Sequence, residues 1–160
     1  MCVWQKFLTI YTRKMKILMV CLGNICRSPV AEGIVRQLIT EQGLNWEVAS
    51  AGTGNWHIGD PADHRSIAIA NRYGYDISEQ RAQHFDKQMF DDFDHILVMD
   101  KNNLRDVLKL TDQQEHHQKV RLFLPDAEIT DPYFDDQLFD PVFKEIERRA
   151  KELIEELKGE

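Results

Sequence analysis

Apolar residues run almost unbroken through residues 15–20 (MKILMV), recur at helical spacing through residues 30–39 (VAEGIVRQLI), and form another continuous run at residues 95–99 (HILVM). Short apolar runs rich in β-branched residues predict strands, and a continuous one predicts a strand buried on both faces. The pattern therefore predicts strands at 16–20, 46–51, 95–99 and 120–123, with helices at 29–41, 63–73 and 102–109. Residues 85–90 read as a short helix or turn. In the last segment, 141–157, Val142, Phe143, Ile146, Ala150, Leu153, Ile154 and Leu157 alternate with charge, the pattern of an amphipathic helix. Strands alternating with helices make an α/β protein with a parallel sheet and right-handed crossovers. Ligands of such sheets bind beyond the carboxyl ends of the strands.

Composition narrows this without changing it. A chain of 160 residues, 42% hydrophobic and 29% charged, has a one-domain length and enough apolar residues for a core. A formal net charge of -7 with no run of five basic residues argues against nucleic acid and membrane surfaces as partners. Three cysteines (Cys2, Cys21, Cys26) are too few for a secreted disulfide scaffold, so a reducing compartment, the cytoplasm, is expected.

The chemistry concentrates in residues 20–32, VCLGNICRSPVAE, between the first strand and the first helix. A helix start offers unpaired N–H groups and a positive dipole end, and Gly23 and Asn24 tolerate the positive φ that converging amides require. Ser28 reads as the N-cap and Pro29 as the first helical residue. Beside such a nest and a cation, the Cys21 thiol can ionise at neutral pH. Arg27 follows Cys21 after five residues, and its planar fork can span two phosphate oxygens. A thiolate beneath a bound phosphoryl group can displace the leaving oxygen in line while Arg27 and the loop amides hold the equatorial oxygens. The same Cys-x5-Arg spacing also suits an inert buried thiol beside an ordinary turn.

Such a reaction needs an acid for the leaving group. Asp131 in EITDPYFDD qualifies, since Pro132 disfavours helix at that position, but Asp126, Asp135, Asp136 and Asp140 crowd the same region. Trp56, in the Gly-rich loop TGNWHIGDP, reads as a core anchor or a ligand wall. Asp100, closing HILVMD, reads as a helix N-cap. Cys21 and Cys26 have no second ligand pair at zinc-like spacing, and His116 and His117, in the polar stretch QQEHHQ, read as solvated. Neither a metal nor a cofactor is expected.

CLGNICRSP directly after an apolar strand resembles the phosphate-binding loop of the low-molecular-weight protein tyrosine phosphatases, and the resemblance extends through most of the chain from Met15. It implies a three-layer, flavodoxin-like fold with a four-stranded parallel sheet and the phosphate loop after the first strand. It also implies Cys21 as nucleophile, Arg27 as phosphate clamp and Asp131, in Asp-Pro-Tyr, as general acid, and gives Asp100 a second reading, equal to the cap, as a partner that orients Arg27. Leu22, Gly23, Asn24, Ile25, Cys26, Ser28 and Ser50 would bind phosphate or support the loop, with Ser28 hydrogen-bonded to the thiolate. Leu22, Trp56 and Tyr133 would wall a slot deep enough for phosphotyrosine and too deep for phosphoserine or phosphothreonine. Cys26 would trap oxidised Cys21 as a disulfide.

The implied substrate is a phosphotyrosine protein, and bacterial members make a tyrosine kinase of capsule or exopolysaccharide export a candidate partner. Members begin near the position of Met15, so residues 1–14 are expected to form a mobile extension and residues 15–160 the phosphatase domain. Tyr73 and Ala49 stand where animal members place a histidine and an aspartate, so their histidine-linked support network is expected to be absent or rebuilt, as suits a bacterial member. Phe134 replaces the second of their paired tyrosines. Three rivals share the fold or loop. Thioredoxin-linked arsenate reductases need cysteines downstream, and none follows Cys26. Protein-arginine phosphatases place threonine where Ile25 stands. Cysteine phosphoryl carriers lack the equivalent of Arg27 and need no acid.

Overall fold

A computed structural model describes residues 13–160, so most of the expected N-terminal extension lies outside the described residues. Of that segment, Arg13 pairs with Asp94 at 3.0 Å and Lys14 with Glu47 at 2.7 Å.

Four parallel strands form one sheet: β1 (Met15–Cys21), β2 (Trp46–Gly52), β3 (His95–Val98) and β4 (Val120–Leu122), in the order β2-β1-β3-β4. Side chains of β1 alternate between two apolar layers, as the two-residue strand period requires. Ile17, Met19 and Cys21 join the layer under α1 (Arg27–Glu41), α2 (His64–Arg72) and α6 (Phe139–Lys158). Leu18 and Val20 join the other, with Phe85, Phe90 and Val107, beside α3 (Met89–Asp92), α4 (Lys101–Leu108) and α5 (Gln114–Lys119). Residues 17–20 are fully buried, and such side chains contribute about 1.5–3 kcal/mol each. The thiol thus ends a rigid rod.

The topology also sets where the site lies. The chain leaves β1 for β2 on one side and later crosses to β3 on the other, so the strand order reverses at β1. Register pairs Cys21 with Gly52 and Val20 with Val98. The crevice at that reversal, at the carboxyl ends, is where open α/β sheets bind ligands.

Three expectations need correction. Helix α1 starts at Arg27 with Cys26 at its N-cap and no side-chain cap, so Ser28 is not the cap and Pro29 is not first. The Ser28 hydroxyl is occupied instead by Asn24 and Cys21. The short helix or turn expected at 85–90 begins later, as a turn at 87–88 and a helix at 89–92, because Phe85 donates its N–H to the Gly52 carbonyl at 2.8 Å and extends the chain there. Residues 114–119 form α5, which has no apolar periodicity to betray it, and His116 is buried rather than solvated. Its ring stacks on Phe90 and bonds Thr111 and Asp91. Among the described residues, no helix is long and apolar enough to cross a membrane, and no group of three His, Cys, Asp or Glu side chains is placed to hold a metal ion.

Candidate active site

Residues 22–26 wrap from the end of β1 to the start of α1, and Asn24 is where the wrap turns, at φ +56°. The short Asn side chain tolerates this left-handed conformation and rewards it with hydrogen bonds. Its two amide hydrogens go to Ser28 Oγ and Ser50 Oγ, each at 2.8 Å, and its Oδ1 accepts from the Gln83 N–H at 2.9 Å. Gly23 does not need positive φ. No N–H of residues 22–26 donates to a protein acceptor among the described residues, so these amides are available to an anion at the helix start.

Cys21 Sγ lies 3.0 Å from Ser28 Oγ. Asn24 donates to that oxygen, and toward a Cys21 thiolate, which can only accept, the Ser28 hydroxyl is the donor. Behind it, Ser50 donates to Glu32 Oε1 at 3.2 Å, and Arg36 bonds Glu32 at 3.0 Å and the Val48 carbonyl at 3.1 Å. Burial pushes the Glu32 carboxyl above its usual range, with Arg36 opposing. Tyr73, by contrast, stacks on Phe143 and bonds Asp140, away from this network.

Arg27 is 3% exposed. Its Nη1 donates to Asp100 Oδ2 and to the Ile129 carbonyl, both at 2.8 Å. Nη2 lies 3.8 Å from Asp131 Oδ2. Burial works against the charge, but Cys21, Asp100 and Asp131 outweigh it and raise the arginine pKa. Asp100 does both jobs open to it: Oδ1 caps α4 by accepting the Asn103 N–H at 2.8 Å. Asp131 Oδ1 accepts the Tyr133 N–H at 3.1 Å, a local turn that fixes the carboxylate beside the cleft. Cys26 is a buried thiol pushed up to about 12 by burial first and then by Asp63 and Cys21.

A cavity of about 340 Å³ opens over Cys21, lined by Leu22, Gly23, Arg27, Trp56, Asp131 and Tyr133 among others. The expected nucleophile, clamp, acid and wall residues thus meet in one place, with Ile25 and Cys26 also lining the cavity and Ser50 behind it. Four contributors were not expected. His57 and Phe134 line the cavity, and each adjoins an aromatic that was singled out. Gly52 was missed because its reason is tertiary: a Cβ there would sit 2.8 Å from the Leu22 carbonyl oxygen and 3.1 Å from Asn24 N. Arg65 was missed likewise. It bonds Asp63 through Nε and Nη2, donates to the Tyr133 carbonyl at 3.0 Å, and pairs with Asp136 at 2.6 Å.

Residues 16–160 match the low molecular weight phosphotyrosine protein phosphatase family. The human low molecular weight phosphotyrosine protein phosphatase is 38% identical over 148 residues, covering 87% of this chain and 93% of the relative. The structure of YfkJ from Bacillus subtilis superposes with a TM-score of 0.84 at 31% identity, covering 91% of this chain and 96% of that one. Wzb from Vibrio vulnificus, solved in complex with benzylphosphonate, superposes with a TM-score of 0.81 at 31% identity over 89% of this chain and 99% of its own. With the match running from the first strand to the last residue, the chain belongs to the low molecular weight phosphotyrosine protein phosphatase family.

Proposed function

We propose that this chain performs its family's reaction, hydrolysis of phosphotyrosine in proteins, through a phosphoryl group carried on Cys21. The observation that carries the reading is the convergence on one cavity of a thiol 3.0 Å from a serine hydroxyl, a buried arginine and a carboxylate 3.8 Å from that arginine. In the first step the Cys21 thiolate attacks phosphorus, the phosphorus–oxygen bond to the tyrosine breaks, and Asp131 gives its proton to the departing phenolate. The loop amides and the free edge of Arg27 hold the three equatorial oxygens as charge gathers on them. In the second step Asp131 takes a proton from water as it attacks the cysteinyl phosphate, and Ser28 donates to the sulfur that leaves as thiolate. No cofactor is invoked.

Trp56, Tyr133 and Leu22 wall the slot, and its depth selects a phosphorylated phenol over the shorter phosphoserine and phosphothreonine. That a relative was solved with benzylphosphonate, an aromatic phosphonate, supports this choice. A tyrosine kinase bearing phosphotyrosine on its own chain fits the same slot as a bacterial partner. A free Cys21 thiolate needs a reducing compartment, so we assign the cytoplasm.

The test is direct. Wild type should hydrolyse an aryl phosphate and accumulate a phosphoryl adduct that peptide mapping locates on Cys21 after an acid quench. Cys21→Ser should lose turnover yet keep vanadate affinity, and Arg27→Lys should lose nearly as much activity as Arg27→Ala, because a point charge cannot span two oxygens. Hydrolysis by Cys21→Ser above roughly a thousandth of wild type would remove the cysteine from the mechanism.

A further inference from the structure

Among the described residues, five large apolar side chains stand exposed: Leu22, Trp56, Ile58, Tyr133 and Phe134. Four line the cavity over Cys21, and Ile58 follows His57, which lines it too. Scattered exposed apolar residues are ordinary, whereas a set gathered at the mouth of one site marks a contact surface. The slot does not need them all. Phe134 leaves 91% of its surface to solvent and Ile58 60%, so most of each lies outside the space a phosphotyrosine ring would fill.

The rim is held in place. The Trp56 ring rests on the backbone of Gly54, where a Cβ would come within 2.3 Å of Cζ3. His57, between Trp56 and Ile58, bonds Asp60 at 3.1 Å. The Tyr133 ring carries the Arg65 guanidinium 5.3 Å from its centroid, and Phe134 meets that ring edge-on at 5.0 Å. A surface already ordered loses little entropy when covered. The charge at this mouth is net negative: one cation, Arg65, is shared by Asp63 and Asp136, Asp60 pairs with His57, and Asp135, next after Phe134, makes no ion pair among the described residues.

We propose that this rim is a docking surface for the residues flanking the phosphotyrosine, and that it selects substrates with large apolar neighbours over those with acidic neighbours. The inference rests on the phosphotyrosine reading of the Cys21 site and concerns only what lies outside the slot. Apolar neighbours would cover Phe134 and Ile58, whereas acidic ones would leave them wet and meet Asp60 and Asp135 at like charge.

Three phosphotyrosine peptides, identical except for leucine, serine or aspartate on both sides of the phosphotyrosine, provide the test, with aryl phosphate turnover as the control for the chemistry. The kcat/KM for the leucine peptide should exceed that for the serine peptide by roughly tenfold, and the aspartate peptide should be slowest. Phe134→Ser and Ile58→Ser, both at exposed positions, should each reduce the leucine-to-serine ratio several-fold. Equal turnover of all three peptides, preference for aspartate, or an unchanged ratio in both variants would overturn the docking surface while leaving the phosphatase intact. Absence of turnover on both peptides and aryl phosphate would overturn both readings.

Discussion

Arg65 covers the ring of Tyr133, donates to its carbonyl at 3.0 Å, and is anchored from behind by Asp63, whose own N–H donates to the Ile25 carbonyl at 2.8 Å. The phosphate loop and the loop carrying Asp131 are thereby tied through one guanidinium. Arg65→Met should let the acid loop drift and lower kcat for phenyl phosphate roughly 10- to 100-fold, with a smaller loss for a leaving group that departs readily as an anion. Arg65→Lys should recover little, lacking the fork. Equal losses on both substrates would show that the arginine does not act through the acid.

The same pair sets a pH dependence of stability. Arg65 hydrogen bonds hold Asp63 below its ordinary 3.8, with burial opposing. A depressed carboxylate contributes stability that is present above the unfolded pKa and fades as pH falls through the lower folded value. The gap in Tm between wild type and Arg65→Met should therefore be widest near neutrality and shrink below about pH 4. A gap that widened in acid would contradict this.

Asp131 competes with neighbouring acids for the role of proton donor. Asp131→Asn should slow phenyl phosphate hydrolysis by roughly 10²–10⁴-fold and steepen the dependence of rate on leaving-group pKa. Asp135→Asn should do neither, since Asp131 lines the cavity over Cys21 and Asp135 does not. Steepening in Asp135→Asn with a normal Asp131→Asn would reassign the acid.

Peroxide should convert the Cys21 thiolate to a sulfenic acid, which then condenses with the Cys26 thiol to a disulfide and water. Cys26 is held protonated partly by the charge on Cys21, so oxidation of Cys21 removes one of the influences that keep its partner unreactive. Wild type should lose activity reversibly, and Cys26→Ser irreversibly. Equal rescue of both by a thiol would remove Cys26 from the protection.

Gly52→Ala tests the backbone contact beneath the loop. With the added carbon 2.8 Å from a carbonyl oxygen, the phosphate loop must shift, at a cost of about 1–3 kcal/mol. For a chain of this size that is a fall in Tm of roughly 2–12 °C. Vanadate affinity should drop as well, and an unchanged affinity would mean that the loop tolerates the intrusion.

The sequence carries the strand-loop-helix unit because its determinants are local: an apolar run, a turn residue at Asn24 and an apolar helical stripe. What it hides is long-range. The Gln83 N–H that fixes Asn24 comes from 59 residues away and the Ile129 carbonyl that fixes Arg27 from 102, and neither uses a side chain that spacing could flag. Ser28 misleads for a related reason, since a serine before proline reads as a cap until a thiol and an amide claim its hydroxyl. His116 misleads because the Phe90 ring that buries it belongs to another helix.

Asp100 holds two elements at once. One oxygen closes the first turn of α4 and the other steadies Arg27, so a replacement must supply two acceptors at the same reach. Asparagine would turn a donor toward one of two donors, and glutamate would overshoot both. A mutation that quietly lowers activity while sparing the fold is therefore closed off at this position, and losing the side chain would surface as a shortage of folded enzyme as well as a slower one.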